Sequence, residues 1–302
     1  MQAKSLGPLE RTIPEVGMGT YAYEGGVEPL VSGIDAGAAF IDTAESYGTE
    51  TIVGRAIRGR RGDVFVATKV SPCHYRRADV FAAAERSLRN LDSDYIDLYQ
   101  LHEPFAEVPM EETLTALEDL VDQGKIRYIG VSNFDVDQLR RANRALRRHP
   151  LVSNQIRYSL VDRTIESGIL EHCAVHGITV IAHTPLARGM RFILDSDPQG
   201  LLDELSGKYR KTPAQICLNW CLDKSPVVVI PGSSTREHIL DNASASGWRL
   251  EASDVRRLDG QIRFRRRSAA EAALRRMLPR GVKRLLKRAV EELPPALPRR
   301  FH

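Results

Sequence analysis

Short apolar runs alternate with stretches of helical periodicity along most of the chain. Between the runs, apolar side chains recur at helical spacing, as in residues 80–91 and 114–121. Alternation of this kind predicts a parallel sheet that is covered by helices. The eight predicted strands span residues 16–19, 40–42, 64–69, 96–102, 128–132, 153–156, 179–183 and 227–230.

The number of strand–helix units favours a closed barrel over an open sheet. A TIM barrel takes roughly 250 residues, which fits a chain of 302. An open doubly wound sheet that binds dinucleotides usually carries G-x-G-x-x-G after its first strand, and this chain has no such motif. The short polar segment 4–15 predicts a hairpin that closes the bottom of the barrel. The predicted fold class is therefore an α/β protein, a (β/α)8 TIM barrel with an N-terminal hairpin.

Composition and cysteine usage indicate a globular protein of the cytoplasm. Apolar residues make up 42% of the chain and charged residues 27%, as in most soluble domains. The apolar runs are too short for a membrane span, and the first residues lack a signal-peptide pattern. The four cysteines form no C-x-x-C pair, so we expect reduced thiols. His172 and His176 have helical spacing but no third ligand, so no metal site is expected.

Charge is distributed unevenly. The net charge is +4, but residues 261–302 hold 13 basic and 3 acidic side chains, while the rest of the chain has a net charge of −6. We therefore divide the chain into a barrel, residues 1–264, and a basic amphipathic C-terminal extension, residues 265–302. The favoured interpretation is that this extension packs on the barrel or on a second subunit. Association with an anionic membrane surface stays open, nucleic-acid binding is not expected, and a monomer and a homo-oligomer are both compatible.

Polar residues follow seven successive predicted strands. Barrel enzymes carry their chemistry at the carboxyl ends of the strands, so these side chains should face one cavity. A purely structural barrel has no need of such a series. The residues are Asp42, Lys69, His102, Ser132, Asn133, Gln155, His183, Thr184, Ser233 and Ser234.

Three of these polar residues, together with Tyr47, suggest proton transfer. Lys69 leaves a buried strand and needs a partner, and Asp42 ends the neighbouring strand. Tyr47 lies five residues after Asp42, in the loop that returns over the cavity. An ammonium group beside a phenol lowers the phenol's pKa, so we expect Tyr47 to donate a proton near neutral pH. His102 can hydrogen-bond the same reacting oxygen.

These residues stand in motifs that resemble those of the aldo-keto reductase superfamily, in the family's order over roughly residues 10–260. The resemblance implies NAD(P)H-dependent reduction of an aldehyde or ketone, a small-molecule carbonyl substrate, to an alcohol. It places the enzyme in an alcohol dehydrogenase or carbonyl reductase class. It also implies that Tyr47 is the general acid, that Lys69 and Asp42 tune it, and that His102 orients the carbonyl. The motifs are RTIPEVGMGTY (11–21), FIDTAESYG (40–48), FVATKV (65–70), YIDLYQLHEP (95–104), GVSNF (130–134), NQIRYSL (154–160), TPLARG (184–189) and IPGSS (230–234).

The resemblance further implies an extended nicotinamide dinucleotide, NADPH in preference to NADH. Ser132, Asn133 and Gln155 would hold the carboxamide, and the nicotinamide ring would stack on His183, where the family usually has a tyrosine. Many members carry a lysine and an arginine for the 2′-phosphate at the positions of Gly232 and His238, so small polar residues and Arg236 are expected to serve instead. The remaining predicted contacts are Gly19, Thr20, Tyr21, Thr184, Pro185, Leu186, Ala187, Gly189, Ile230, Ser233, Ser234, Asp241 and Asn242.

The predicted substrate contacts are Tyr21 and Glu103. Glu103 stands where the family often has an aromatic residue, and a carboxylate near the mouth would disfavour anionic substrates. We therefore expect neutral or cationic carbonyl substrates. Two alternatives stay open: a nucleotide-binding regulatory protein with little turnover, which His183 and Glu103 motivate, and a cofactor-independent barrel lyase or isomerase.

A chain truncated after Phe264 is expected to stay folded and to bind the cofactor, because all eight units and all the polar strand ends precede Gln261. Solubility and quenching of intrinsic fluorescence by NADPH measure both properties against the full-length chain. Insoluble protein or lost binding would mean that residues 265–302 belong to the core. If only the full-length chain pellets with anionic vesicles, the membrane alternative gains support.

Overall fold

A computed structural model describes residues 1–264, and within them the predicted alternation of strands and helices is present. The strands are β1 (Ala3–Ser5), β2 (Thr12–Pro14), β3 (Met18–Gly19), β4 (Phe40–Asp42), β5 (Phe65–Val70), β6 (Ile96–Leu101), β7 (Ile126–Ser132), β8 (Leu151–Arg157), β9 (Thr179–His183) and β10 (Val227–Ile230). The helices are α1 (Glu28–Asp35), α2 (Glu50–Ala56), α3 (Arg77–Leu91), α4 (Met110–Asp122), α5 (Val136–Ala145), α6 (Ile169–Val175), α7 (Met190–Leu194), α8 (Leu201–Tyr209), α9 (Pro213–Leu222), α10 (Arg236–Ala243) and α11 (Ala252–Gln261).

The eight strands β3 to β10 form one parallel sheet in which neighbours in space are also neighbours in sequence. Bridges between Val16 and Val229 and between Gly19 and Gly232 join the first strand region to the last one. The sheet is therefore closed, and the TIM barrel predicted from the sequence is confirmed. The predicted strand ends differ from the observed ones by two residues at most.

The predicted hairpin is present at the bottom of the barrel. Strands β1 and β2 pair in antiparallel fashion, with Lys4 opposite Ile13. Leu6 and Ile13 are buried against Phe40 and Phe65, which begin β4 and β5. Because strands begin at the bottom of a barrel, this apolar cluster closes the end opposite the polar strand ends.

The helices pack around the barrel through apolar faces. Helix α3 buries Val80, Ala84 and Leu88 toward the sheet, at the spacing of one helical face. Helix α9 is buried over its last eight residues and begins with a capping box between Thr212 and Gln215. All four cysteines are free thiols, and only Cys73 is exposed.

The predicted basic extension, residues 265–302, lies outside the described residues. Within residues 1–264, no helix is both long and apolar enough to cross a bilayer.

Replacing Leu6 by alanine is expected to lower the free energy of unfolding by about 2–5 kcal/mol, since the side chain is fully buried in the bottom cluster. Urea unfolding followed by circular dichroism measures the change. Val175→Ala is the matched control, because Val175 is 74% exposed and its truncation should change stability by less than about 0.5 kcal/mol. Equal effects of the two substitutions would show that the hairpin contributes nothing to the core.

Candidate active site

A cavity of about 980 Å³ opens at the carboxyl ends of the barrel strands. Its size lies at the upper end of the range for small-molecule and cofactor sites, about 300–1,000 Å³. Nine of the ten predicted strand-end residues line its wall, while Lys69 lies buried beneath it. Those nine are Asp42, His102, Ser132, Asn133, Gln155, His183, Thr184, Ser233 and Ser234.

A buried ion pair lies under the wall of the cavity. The Nζ of Lys69 donates to Oδ1 of Asp42 at 2.6 Å and to the carbonyl oxygen of Thr43 at 2.8 Å. The other carboxylate oxygen, Oδ2, accepts from Nε2 of Gln155 at 2.6 Å and from Nε2 of Gln100 at 3.4 Å. Burial lowers the pKa of Lys69, and the Asp42 carboxylate opposes that effect. Both charges are thus hydrogen-bonded, as a buried pair requires.

Tyr47 lies above this pair, in a short 3-10 turn, Glu45–Tyr47, that directly precedes Gly48. Gly48 has a φ of 72°, a conformation that glycine adopts without strain, and it turns the chain back into α2. The Lys69 Nζ lies 4.9 Å from the centroid of the Tyr47 ring. The Tyr47 hydroxyl lies 3.3 Å from Nε2 of His102. The structure therefore brings together the four residues of the predicted catalytic tetrad, Asp42, Tyr47, Lys69 and His102.

The predicted pKa of Tyr47 was wrong in direction. Burial raises the pKa of Tyr47 well above its usual value, and the Asp42 carboxylate raises it further. The sequence predicts that the Lys69 ammonium lowers it, but the cost of burying a charged phenolate and the repulsion from the Asp42 carboxylate are larger. The phenol is therefore fully protonated at neutral pH, which suits a proton donor.

His102 and His183, two of the histidines that line the cavity, are neutral. Burial and the nearby Lys69 lower the pKa of His102 to about 4. Burial and the Arg157 guanidinium lower the pKa of His183 to about 3. Each neutral imidazole has one N–H donor and one acceptor nitrogen. His102 can therefore donate a hydrogen bond to a substrate oxygen without carrying a charge.

A row of polar groups connects the two histidines. The Nδ2 of Asn133 lies 3.3 Å from the His102 carbonyl oxygen and 2.9 Å from Oγ of Ser132. The Oδ1 of Asn133 lies 3.4 Å from Nε2 of His183, whose Nδ1 lies 3.0 Å from Oγ1 of Thr184. These amide and hydroxyl groups line the cavity, so they can hydrogen-bond an amide group such as a carboxamide.

At the end of the cavity away from Tyr47, residues at the start of α9 and in α10 form part of the wall. Asp241 accepts from Thr212 at 3.0 Å and from Gln215 at 2.9 Å, so helix α9 holds the residue predicted to meet the adenine. The predicted residues that line the rest of the cavity are Gly19, Tyr21, Pro185, Leu186, Gly189, Ile230, Gly232, His238 and Asn242.

Sequence reasoning missed several wall residues. Thr212, Pro213 and Ala214 begin α9, and the capping-box pattern at Thr212 was the available signal. Arg157 follows Gln155 by two positions, so strand alternation could have found it. Arg188 lies in the loop after β9, where no pattern marks the direction of a side chain.

Three predicted cofactor contacts do not line the cavity. Thr20 is buried and bonds the Asp42 carbonyl oxygen at 3.0 Å. Ala187 belongs to the loop after β9 but not to the wall. The Nε of Arg236 lies 3.2 Å from Oγ of Ser32 and 3.6 Å from a carboxylate oxygen of Glu28. Both charged side chains are more than half exposed, so this is a weak surface pair on α1.

Glu103 also lies outside the wall of the cavity. The residue is exposed, and its main chain is fixed by the Tyr75 hydroxyl, which donates to the Glu103 carbonyl oxygen at 2.7 Å. The cationic side chains Arg157 and Arg188 line the cavity instead. The wall of the cavity therefore gives no support to the expected preference for neutral or cationic carbonyls, which stays a prediction.

Backbone strain is concentrated at the rim of the cavity. Four of the seven non-glycine residues with positive φ in the described chain line it: Ala22, Asn133, Thr184 and Arg188. Thr184, at 56°, is β-branched, and such residues rarely adopt this conformation. Strain of this kind is typical of binding and catalytic sites.

Comparisons with known proteins agree on one family. Residues 16–263 match the family model described as the Aldo/keto reductase family. Methylglyoxal reductase YeaE of Escherichia coli is 34% identical over 259 residues, which cover 82% of this chain and 90% of YeaE.

Solved structures of the same kind superimpose closely. A thermostable aldo-keto reductase in complex with epalrestat is 40% identical, with a TM-score of 0.81, and the match covers 86% of this chain and all of that one. An aldo-keto reductase from Klebsiella pneumoniae in complex with NADPH is 34% identical, with a TM-score of 0.80, and covers 88% of this chain and 98% of that one.

The side-chain NMR signals of His102 and His183 are expected not to titrate between about pH 5.5 and pH 8, because both pKa values lie well below the usual 6.5. The unfolded chain binds these protons at higher pH, so the fold loses stability as the pH falls below about 6.5. His102→Asn and His183→Asn assign the signals, and the urea-unfolded chain is the reference. A midpoint near 6.5 for His102 in the folded, cofactor-free protein would contradict the result.

Proposed function

The chain belongs to the aldo/keto reductase family, and from this membership we propose how its own residues carry out the reaction. It is an NAD(P)H-dependent oxidoreductase that reduces aldehydes or ketones to alcohols. The observation that carries the proposal is the Tyr47 hydroxyl, 3.3 Å from a neutral His102 and above the buried pair of Lys69 and Asp42.

NADPH is the cofactor, and the cavity fits it. Ser132, Asn133 and Gln155 would hold the carboxamide at the catalytic end, with the flat ring of His183 beside the nicotinamide. At the other end, Asp241 and Asn242 would meet the adenine, and the hydroxyl groups of Ser233 and Ser234 with His238 would receive the 2′-phosphate. We propose a preference for NADPH over NADH on this basis, and a contact of Arg236 with the 2′-phosphate stays a prediction.

The chain supplies the proton of the reaction. A reduced nicotinamide bound in the cavity would supply the hydride that the carbonyl carbon receives. Tyr47 donates its phenolic proton to the carbonyl oxygen, while His102 hydrogen-bonds the same oxygen and orients it. The Lys69 ammonium then stabilises the phenolate that is left, because a cation favours the charged form of a phenol. Asp42 keeps Lys69 charged and in place through the 2.6 Å contact.

The finer enzyme class that we propose is that of an alcohol dehydrogenase or carbonyl reductase acting on small carbonyl compounds. The Escherichia coli relative is named a methylglyoxal reductase, so methylglyoxal is the first substrate to test. Tyr21 lines the cavity, is 62% exposed and packs edge-on against Tyr47, with ring centroids 5.2 Å apart. This position supports its predicted contact with the substrate.

The two alternative functions are not favoured. The family match spans the whole barrel, and the solved relatives include complexes with NADP and NADPH. A regulatory barrel has no need of the hydrogen-bonded tetrad, and a cofactor-independent lyase has no need of the long cavity. A cytoplasmic location stays a prediction, and a monomer and a homo-oligomer are both compatible with the chain.

Tyr47→Phe is expected to lower the rate of NADPH oxidation with methylglyoxal by a factor of about 10²–10⁴, because the substitution removes only the donated proton. Binding of NADPH, measured by fluorescence quenching, should stay within about twofold. Tyr95→Phe is the matched control, since Tyr95 lies outside the cavity and its hydroxyl makes only a 3.5 Å contact. Turnover of Tyr47→Phe within about threefold of wild type would refute Tyr47 as the acid.

A further inference from the structure

We propose that Glu45 is a positioning residue for Tyr47, and this inference rests on the proposed role of Tyr47 as proton donor. Glu45 and Tyr47 are the first and last residues of the same 3-10 turn, Glu45–Tyr47. No motif in the sequence assigned a role to this carboxylate, and it does not line the cavity. Its contacts nevertheless determine where the turn lies.

The Glu45 carboxylate binds three donors outside its own turn. Its Oε1 accepts from the main-chain N–H of Ser71 at 2.6 Å and lies 2.9 Å from Nδ1 of His74. Its Oε2 accepts from the Arg86 guanidinium at 3.4 Å. The turn is thus joined to the loop after β5 and to helix α3.

The loop that Glu45 contacts follows β5, the strand that carries Lys69. Ser71 comes two residues after Lys69, directly beyond the end of β5. The contact between Glu45 and Ser71 therefore links the turn that bears the phenol to the strand end that bears the ammonium. A change in this contact moves the Tyr47 ring relative to the Lys69 Nζ, now 4.9 Å from its centroid.

A second glutamate, Glu50, anchors the chain on the C-terminal side of Tyr47, as Glu45 does on the N-terminal side. Glu50 begins α2, and its carboxylate accepts from Oγ1 of Thr68 at 2.7 Å and from Nδ2 of Asn90 at 3.0 Å. Thr68 and Ser71 flank Lys69 along the chain, so the two glutamates hold the Tyr47 segment to both sides of that lysine. A 3-10 turn of three residues has little stability of its own, so such anchors decide its position.

Glu45 is the more accessible of the two glutamates, so it is the one chosen for substitution. Its side chain is 11% exposed, against 35% for His74 and 42% for Arg86, whereas Glu50 is 2% exposed. Burial raises the pKa of Glu45, but the hydrogen bonds from His74 and Ser71 outweigh that effect and lower it overall. The carboxylate is therefore charged at neutral pH, and its hydrogen bonds are stronger than those of a neutral amide.

The test is Glu45→Gln in the full-length chain. The glutamine oxygen can still accept from Ser71, so the turn can form, but the charge that holds His74 and Arg86 is gone. We expect the single-turnover rate of hydride transfer from pre-bound NADPH to fall about tenfold, since small misplacements of reacting groups cost up to 10²-fold. The dissociation constant of NADPH should stay within about twofold. Glu204→Gln is the matched control, because that exposed glutamate pairs with Arg257 outside the cavity.

The same substitution in a Tyr47→Phe background separates positioning from general stability. If Glu45 acts through Tyr47, Glu45→Gln has no further effect once the hydroxyl is absent. An equal fall in both backgrounds, or a rate unchanged by Glu45→Gln alone, would overturn the proposal. If Glu45→Gln does not fold, His74→Ala removes the same contact from the other side and is judged by the same rates.

The outcomes also distinguish this proposal from the function on which it rests. A large loss in Tyr47→Phe together with no loss in Glu45→Gln refutes the positioning role alone. No loss in Tyr47→Phe refutes the assignment of the acid, and the role of Glu45 falls with it.

Discussion

An ammonium group inside a barrel costs several kilocalories per mole unless a carboxylate and further hydrogen bonds surround it. Lys69 meets this condition through Asp42, which also accepts from Gln155 and Gln100. One carboxylate thus connects side chains from β4, β5, β6 and β8. The barrel has to close in the observed strand order for these groups to meet. The same contacts place a cation beneath Tyr47, so the stability of the pair and the chemistry of the cavity depend on one arrangement.

The fold was predictable because burial imposes a period on the sequence. Strands that are covered on both faces require continuous apolar runs, and these are visible without any structure. The polar ends of those runs were predictable for the same reason, since a polar residue after a buried strand needs a partner or a function. Asp42, Lys69 and His102 could therefore be identified, together with Tyr47 in the loop that follows.

The residues that were misplaced lie in loops and at helix starts, where no period applies. Arg236 contacts Ser32 and Glu28 on α1, a helix far from it in sequence. No local sequence pattern predicts that contact. The main chain at Glu103 is fixed by the Tyr75 hydroxyl in a similar way. The predicted direction of the pKa shift of Tyr47 was wrong for a related reason. The sequence shows that a phenol, an ammonium and a carboxylate are neighbours, but only distances and burial decide whose effect on the pKa is larger.

The strained residues at the rim have a consequence for how this protein can evolve. A non-glycine residue with positive φ costs on the order of 1 kcal/mol, and Ala22, Asn133, Thr184 and Arg188 all carry that cost beside the cavity. Glycine at any of these positions relieves the strain but removes a side chain from the wall. Because glycine also adds conformational freedom to the unfolded chain, part of the relieved strain is offset. Any net gain in stability would alter the shape of the space in which the substrate is chosen.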